Sequence, residues 1–340
     1  SAFYSYGEKV AALLKTPEFA AAYGAAGAAL GLSVACFFGL LHMIFIRMVY
    51  AKPFRRQLER DNTKYAESNV QIFLMFFQTA LPYMLCALLY NMNYLVDQRI
   101  FNYAMNVQEK GGLKTEHWGV YYGKYSVVIG LAATLCAYVA AMGIPRVIQL
   151  KEKQEHREAQ FRFGNLVHYL AIITIPCAVM LAVLAEPVVG ILFTGDRETA
   201  VSLIQAGSVV VILFPFGYLF MSILQRTRNQ KFVVFGGLAA FMLHLLLVFI
   251  LVSGAKIGIF AVVCGMIMFW LAVCVAGFIG IMRYLSYTPD WIRFFAVPAG
   301  CAGIAGLVAM LLCRVLLGLL GNVMTLILCV IVGMLIYNVL

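Results

Sequence analysis

Residues 90–99 read YNMNYLVDQR and close an apolar run that has carried no charge since Ser68. On a helix, Tyr90, Asn93, Tyr94 and Asp97 stand at i, i+3, i+4 and i+7, so two phenols, an amide and a carboxyl share one face. Such a face can line a water-filled cavity, where an ionisable group at membrane depth is tolerated. It can equally anchor a helix end among lipid headgroups, with Asp97 paired to Arg99 or to Lys124, which opens a later apolar segment beside Gly123 and Tyr125. Lys124 on a translocation path would attract a phosphate as a point charge. At an exposed interface the same ion pair would contribute only ~0–1 kcal/mol. His168 and His244 lie inside apolar segments; each can carry a proton, or serve as a neutral imidazole hydrogen-bonded to a neighbour or to the backbone. Gln78, Tyr138, Tyr218, Ser222 and Gln225 are neutral polar groups of the kind that join helices.

The elements that must position these residues are set by composition. The chain has 340 residues, of which 63% are hydrophobic and 12% charged, and its mean hydropathy is +0.91. That is far above a soluble domain. Nine windows contain no charged residue: 19–46, 68–96, 125–145, 163–185, 199–225, 232–255, 257–282, 294–313 and 315–340. Each has the ~20 residues a helix needs to cross hydrocarbon, and none shows the alternating ten-residue pattern of barrel strands. The expected fold is therefore an all-α polytopic membrane protein with nine transmembrane helices. The nine cysteines all fall within these windows without CxxC spacing, so they read as packing residues and not as a disulfide frame or metal site. No cofactor is expected. Neither end reads as natural, since the chain opens on Ser1 and stops at Leu340 within a window; a fragment of a longer protein is expected.

The net charge of +10 is distributed by side. Alternate loops hold sixteen Lys and Arg (47–64, 146–162, 226–231, and 283 with 293), against nine on the other side. The richer side is cytoplasmic by the positive-inside rule, which puts the first residues outside and the last inside. The basic loops lack any groove-fitting motif, so nucleic acid is not an expected partner; membrane lipids are. A short amphipathic helix is expected around YGEKVAALL, and Gly24, Gly27 and Gly31 open the first span for close packing. Pro82 is expected to bend the second span, and Pro145, Pro176, Pro187, Pro215 and Pro298 sit in or beside others. A faint likeness links the first span's start to GAKIGIFAVVCG at 254–265, as two copies of one bundle would. No loop is long enough for a separate catalytic domain.

The order of YGAAGAALGLSVACFFGLL, the basic linker, QTALPYMLCALLYNMNYLVDQRIF, YGKYSVVIGLAATLCAYVAAMGIPRVI, YLAIITIPCAVMLAVLAEPVVGILFTGD and SILQRTRNQK resembles the polysaccharide-transporter branch of the multidrug, oligosaccharidyl-lipid and polysaccharide exporter superfamily. Its nearest likeness is to the stage V sporulation protein B and lipid II flippase types. The resemblance implies helices 6–14 of a fourteen-helix, two-lobe fold in the bacterial inner membrane. Residues 1–50 would be an outer loop and the last helix of the N-terminal lobe, 51–67 a cytoplasmic linker, 68–286 a six-helix C-terminal lobe and 287–340 two additional helices; the rest of the N-terminal lobe would be a partner. It further implies a flippase for a polyprenyl-diphosphate-linked sugar, not an enzyme, with a proton or sodium ion as a possible coupling ion. Tyr90, Asn93, Asp97, Arg99, Lys124 and His168 are the candidate cavity residues. A drug:cation antiporter of the same superfamily would show acids deep in its spans, and no window holds one. A polytopic glycosyltransferase or ligase would cluster acids or histidines on one face.

Overall fold

The computed structural model describes residues 2–16, 18–60, 68–108, 111–193, 195–227, 230–287 and 292–340, and every regular element among them is helical. In lipid only a helix or a closed barrel satisfies all backbone donors and acceptors, and these charge-free windows take the first solution. The chain divides into two units, residues 1–72 and 73–340.

The first unit holds α1 (Ala2–Leu14) and α2 (Glu18–Glu59). α1 folds back onto the start of α2: Phe3 packs against Gly27, Tyr4 against Gly24, and the Tyr6 and Tyr23 rings meet edge-on at 5.4 Å. Gly31 faces open space, so two of the three glycines take a neighbour. α2 continues through the first nine residues of the expected linker; residues 61–67 of that linker lie outside the described residues.

The second unit contains the rest of α3 (Asn69–Val107), which runs as helix through position 82, then α4 (Gly111–Val120), a π-helical turn (Tyr121–Tyr125) and α5 (Ser126–Glu152). α6 (His156–Val183) and the short α7 (Ala185–Leu192) precede α8 (Glu198–Gly207) and α9 (Val210–Arg226). α10 (Gln230–Ser253), α11 (Phe260–Leu285), a second π-helical turn (Ile292–Ala296) and α12 (Val297–Val339) complete it. α8 and α9 form one bent element with a 43° angle; the bend falls at Gly207, the only residue type that leaves room there for the Tyr125 ring. Pro145, Pro176 and Pro215 lie inside α5, α6 and α9 without ending them, and Pro298 occupies the tolerated first turn of α12.

α12 is a hairpin. Gly321 has φ 70° and ψ 176°, a conformation open only to glycine. A β-carbon built on Gly333 would lie 3.8 Å from Ala309 Cβ, whereas a straight helix would separate the two residues by about 36 Å. The two arms, 297–320 and 322–339, therefore run antiparallel, and both pack on α6 through Gly306 against Val179 and Gly333 against Met180.

Six helices among the described residues are long and apolar enough to cross a membrane, or seven when the bent α8–α9 pair is one span. The architecture is that of a multi-pass membrane protein. The two charge-free windows beyond that count are 68–96, on α3, and the second arm of α12, which is continuous with the first in helical assignment. Interior contacts fall into two large apolar clusters: one centred on Ile144, Phe163, Leu219 and Phe269, the other on Phe101, Tyr121, Val211 and Val262.

Candidate functional site

α3 and α10 run side by side in the same direction. Leu89 and Tyr90 reach Gly237, Asp97 meets His244, and Gln108 Nε2 donates to the Val252 carbonyl at 2.9 Å. The sequence separation stays near 147 along this seam, as two parallel helices of equal rise require. Carried along the apolar span of α10, Phe232–Ser253, that register matches residues 85–106 of α3 in depth, and not the charge-free window 68–96. Absence of charge marks where lipid is tolerated; the packing partner sets how deep a residue sits.

Asp97 and His244 are both fully buried, with Oδ1 and Nε2 2.7 Å apart. At about 1.5 Å per residue, His244 lies about 14 Å short of the end of α10, well inside the span. The partner of Asp97 is therefore an imidazole across the seam and neither Arg99 nor Lys124. The approach needs Gly265 on α11, because a β-carbon there would run into Val248 and come within 2.9 Å of the His244 ring. One turn before Asp97, Asn93 is also fully buried. Its amide atoms, Asp97 Oδ2 and His244 Nδ1 have no hydrogen-bond partner among the described residues. The imidazole meets Phe269 edge-on at 6.0 Å, 78°.

In front of this seam lies a cavity of about 670 Å³, walled by α3, the first π-helical turn, α5, α9, α10 and α11. That size suits a small-molecule ligand. Tyr90 and Trp270 form one side, stacked at 5.8 Å and 13°, with Phe214 edge-on to Trp270 at 4.6 Å. Tyr121 and Tyr125 stack at 5.2 Å on another side. Asn91, Ser126, Thr134, Ser222 and Gln225 add neutral polar groups, and none of the lining side chains among the described residues is charged. Tyr218, Ser222 and Gln225, read from sequence as groups joining helices, face this cavity, whereas Tyr138 is exposed elsewhere.

Of the six candidate residues, the fold gathers Tyr90, Asn93 and Asp97 at the seam and the cavity. Arg99 is exposed on another side of α3. Lys124 Nζ donates to the Asp196 carbonyl at 2.6 Å and so ties the π-helical turn to the loop before α8. In that loop Thr199 donates to the Asp196 carboxylate through its hydroxyl and its backbone N–H (3.2 Å), which holds that carboxyl below the usual range. His168 is half-buried on α6, its ring 5.1 Å from Phe294, away from the cavity wall.

His244 is a residue whose role single-helix reasoning could not rank above His168: both are lone histidines in apolar runs, and only the register of α3 against α10 separates them. The aromatic wall was likewise hidden, since Trp270, Phe214 and Tyr125 look like ordinary span residues until three helices converge. No group of three or more metal-ligating side chains occurs among the described residues. No protein-family model, no curated protein and no solved structure matches this chain.

Proposed function

We propose that this chain forms the C-terminal part of a membrane carrier that moves the polar head of a polyprenyl-diphosphate-linked sugar from the cytoplasmic to the outer leaflet by alternating access. The observation that carries the reading is the uncharged aromatic and hydroxyl-rich cavity. Tyr, Ser, Thr, Asn and Gln offer donors and acceptors to sugar hydroxyls without the cost of a buried charge. Tyr90, Trp270 and Phe214 offer flat apolar surfaces to the C–H faces of a sugar ring. A diphosphate finds no cation in this wall among the described residues, so the phosphates remain near basic side chains at the inner end, such as Arg226 beside Gln225.

In this reading the chain crosses the bacterial inner membrane nine times, as helices 6–14 of a two-lobe exporter, with α3, α10 and the first arm of α12 running outward. The facing wall of the passage comes from an N-terminal lobe. The parallel packing of α3 with α10 and the antiparallel arms of α12 support this order of crossings.

A drug:cation antiporter is the second reading, and one observation favours it: Asp97 is an acid buried at span depth, the feature that the charge-free windows alone did not reveal. An aromatic wall also suits an organic cation. The protein reconstituted in vesicles with labelled polyprenyl-diphosphate sugar separates the two. Under the flippase reading, the sugar becomes accessible to an external reagent at least tenfold faster than in empty vesicles, and Tyr90→Ala and Trp270→Ala each abolish most of the gain. Unchanged sugar exposure together with uptake of a quaternary ammonium dye would establish the antiporter instead.

A further inference from the structure

The Asp97–His244 contact sits directly behind the cavity wall, and its imidazole meets wall residues through Phe269. Phe269 packs edge-on to the His244 ring, to Tyr90 (5.6 Å) and to Trp270 (5.2 Å), and the last two are wall residues. We propose that this pair is a one-proton binding site whose occupancy is communicated through Phe269 to Tyr90 and Trp270. The proposal goes beyond the cargo assigned above and holds whichever cargo is carried.

The chemistry follows from charge. With neutral His244 donating Nε2–H to the Asp97 carboxylate, the pair bears one negative charge in a dry seam, which is costly. One added proton, taken at His244 Nδ1 or Asp97 Oδ2, brings the net charge to zero. Both atoms are without a partner among the described residues, so each has room to accept it. Tyr94 of α3 and Tyr121 of the π-helical turn are the titratable groups close enough to interact with Asp97. α11 presents Gly265 and Phe269 to the imidazole, and Arg99 is exposed. The protonated pair is therefore at home in the closed seam, and the deprotonated pair draws water. The buried Asn93 amide, with Tyr94 and Tyr121 between Asp97 and the cavity, supplies the polar route by which water enters. Release of the proton thus accompanies hydration of the seam and a shift of Phe269 against the wall. A sodium ion is the competing occupant, since a carboxylate oxygen, an amide oxygen and a phenol are hard ligands.

The test uses purified protein in lipid nanodiscs, titrated between about pH 5 and about pH 9, the range in which an imidazole changes charge under modest perturbation. Infrared difference spectra follow the Asp97 and His244 bands, and tryptophan fluorescence follows Trp270. The expected result is one transition with a common midpoint in both signals and a slope of one proton. Replacing sodium by choline leaves that midpoint in place. Asp97→Asn and His244→Gln each abolish the transition, and Trp270→Phe removes the fluorescence change while sparing the infrared one. An infrared transition that survives both Asp97→Asn and His244→Gln overturns the proposal. So does a midpoint that drops about one unit for each tenfold rise in sodium, which would assign the site to the metal ion. Should either single variant fail to fold, the Asp97→Leu/His244→Leu double variant, which removes both charges, must still lack the transition. Loss of sugar transport with the proton signal intact would sink the cargo assignment and leave this proposal standing.

Discussion

Two seams of the same bundle use glycine to bring helices close and then do opposite things with the proximity. Along α6 and α12, Gly306 and Gly333 admit Val179 and Met180, and the groove beside them, about 500 Å³, is lined by Ile172, Ile173, Leu326, Met334 and other largely apolar groups. The hydrogen bond that crosses it joins the Tyr337 hydroxyl to the Ile172 carbonyl at 3.0 Å. Along α3 and α10, Gly265 of the neighbouring α11 clears space for an imidazole bound to a carboxylate. The first seam is held by close apolar packing. The second stores an ionisable pair with unpaired atoms, whose energy depends on a proton and on water.

The sharpest way to break this contrast is to remove one partner of the responsive seam. His244→Ala leaves Asp97 buried without its imidazole and should lower unfolding free energy by about 3–5 kcal/mol, read as a fall in thermal midpoint in detergent. The double variant Asp97→Leu/His244→Leu should recover most of that loss while remaining silent to pH, because well-packed apolar residues replace a buried pair at little cost. Next in size are the glycines. Gly265→Ala should cost about 1–3 kcal/mol through overpacking and should also displace the imidazole. Gly333→Ala meets the far end of flexible Met180 and should cost less, with no change in pH response. Gly321→Ala should cost about 1–3 kcal/mol, since no other residue readily adopts its backbone angles, and should weaken the dry seam alone. The smallest effect is expected at a partly exposed carboxyl, Asp196, which contrasts with buried Asp97. Its folded pKa is depressed, so its contribution is present above its unfolded value near about 3.9 and disappears as pH falls through the lower folded value. Thr199→Val, which removes the hydroxyl donor and keeps the backbone one, should reduce that acid-side dependence, changing stability by less than about 1 kcal/mol, as seen in melting curves between about pH 2 and about pH 5.

Much of the scaffold was legible in the chain because lipid leaves few options: a charge-free run of twenty residues must be helical. The face Tyr90–Asn93–Tyr94–Asp97 was legible because helical spacing is local. Its depth was not. Counting from Ser68 put Asp97 at the far end of a 29-residue run, yet α3 is helical for 39 residues, and only its register with α10 shows which part is at span depth. The pairing with His244 joins residues 147 apart, a distance at which one sequence carries no signal. The hairpin in α12 was read as two windows because Arg314 interrupts the apolar run; the turn itself is at Gly321, seven residues on, where backbone freedom and not charge decides.

The parallel register of α3 and α10 also has a consequence for biosynthesis. At roughly 5–20 residues per second, the ribosome needs roughly 7–30 s to make the 147 residues between Asp97 and its imidazole. Throughout that interval the carboxyl is without its imidazole, so this seam closes only after α10 has been made.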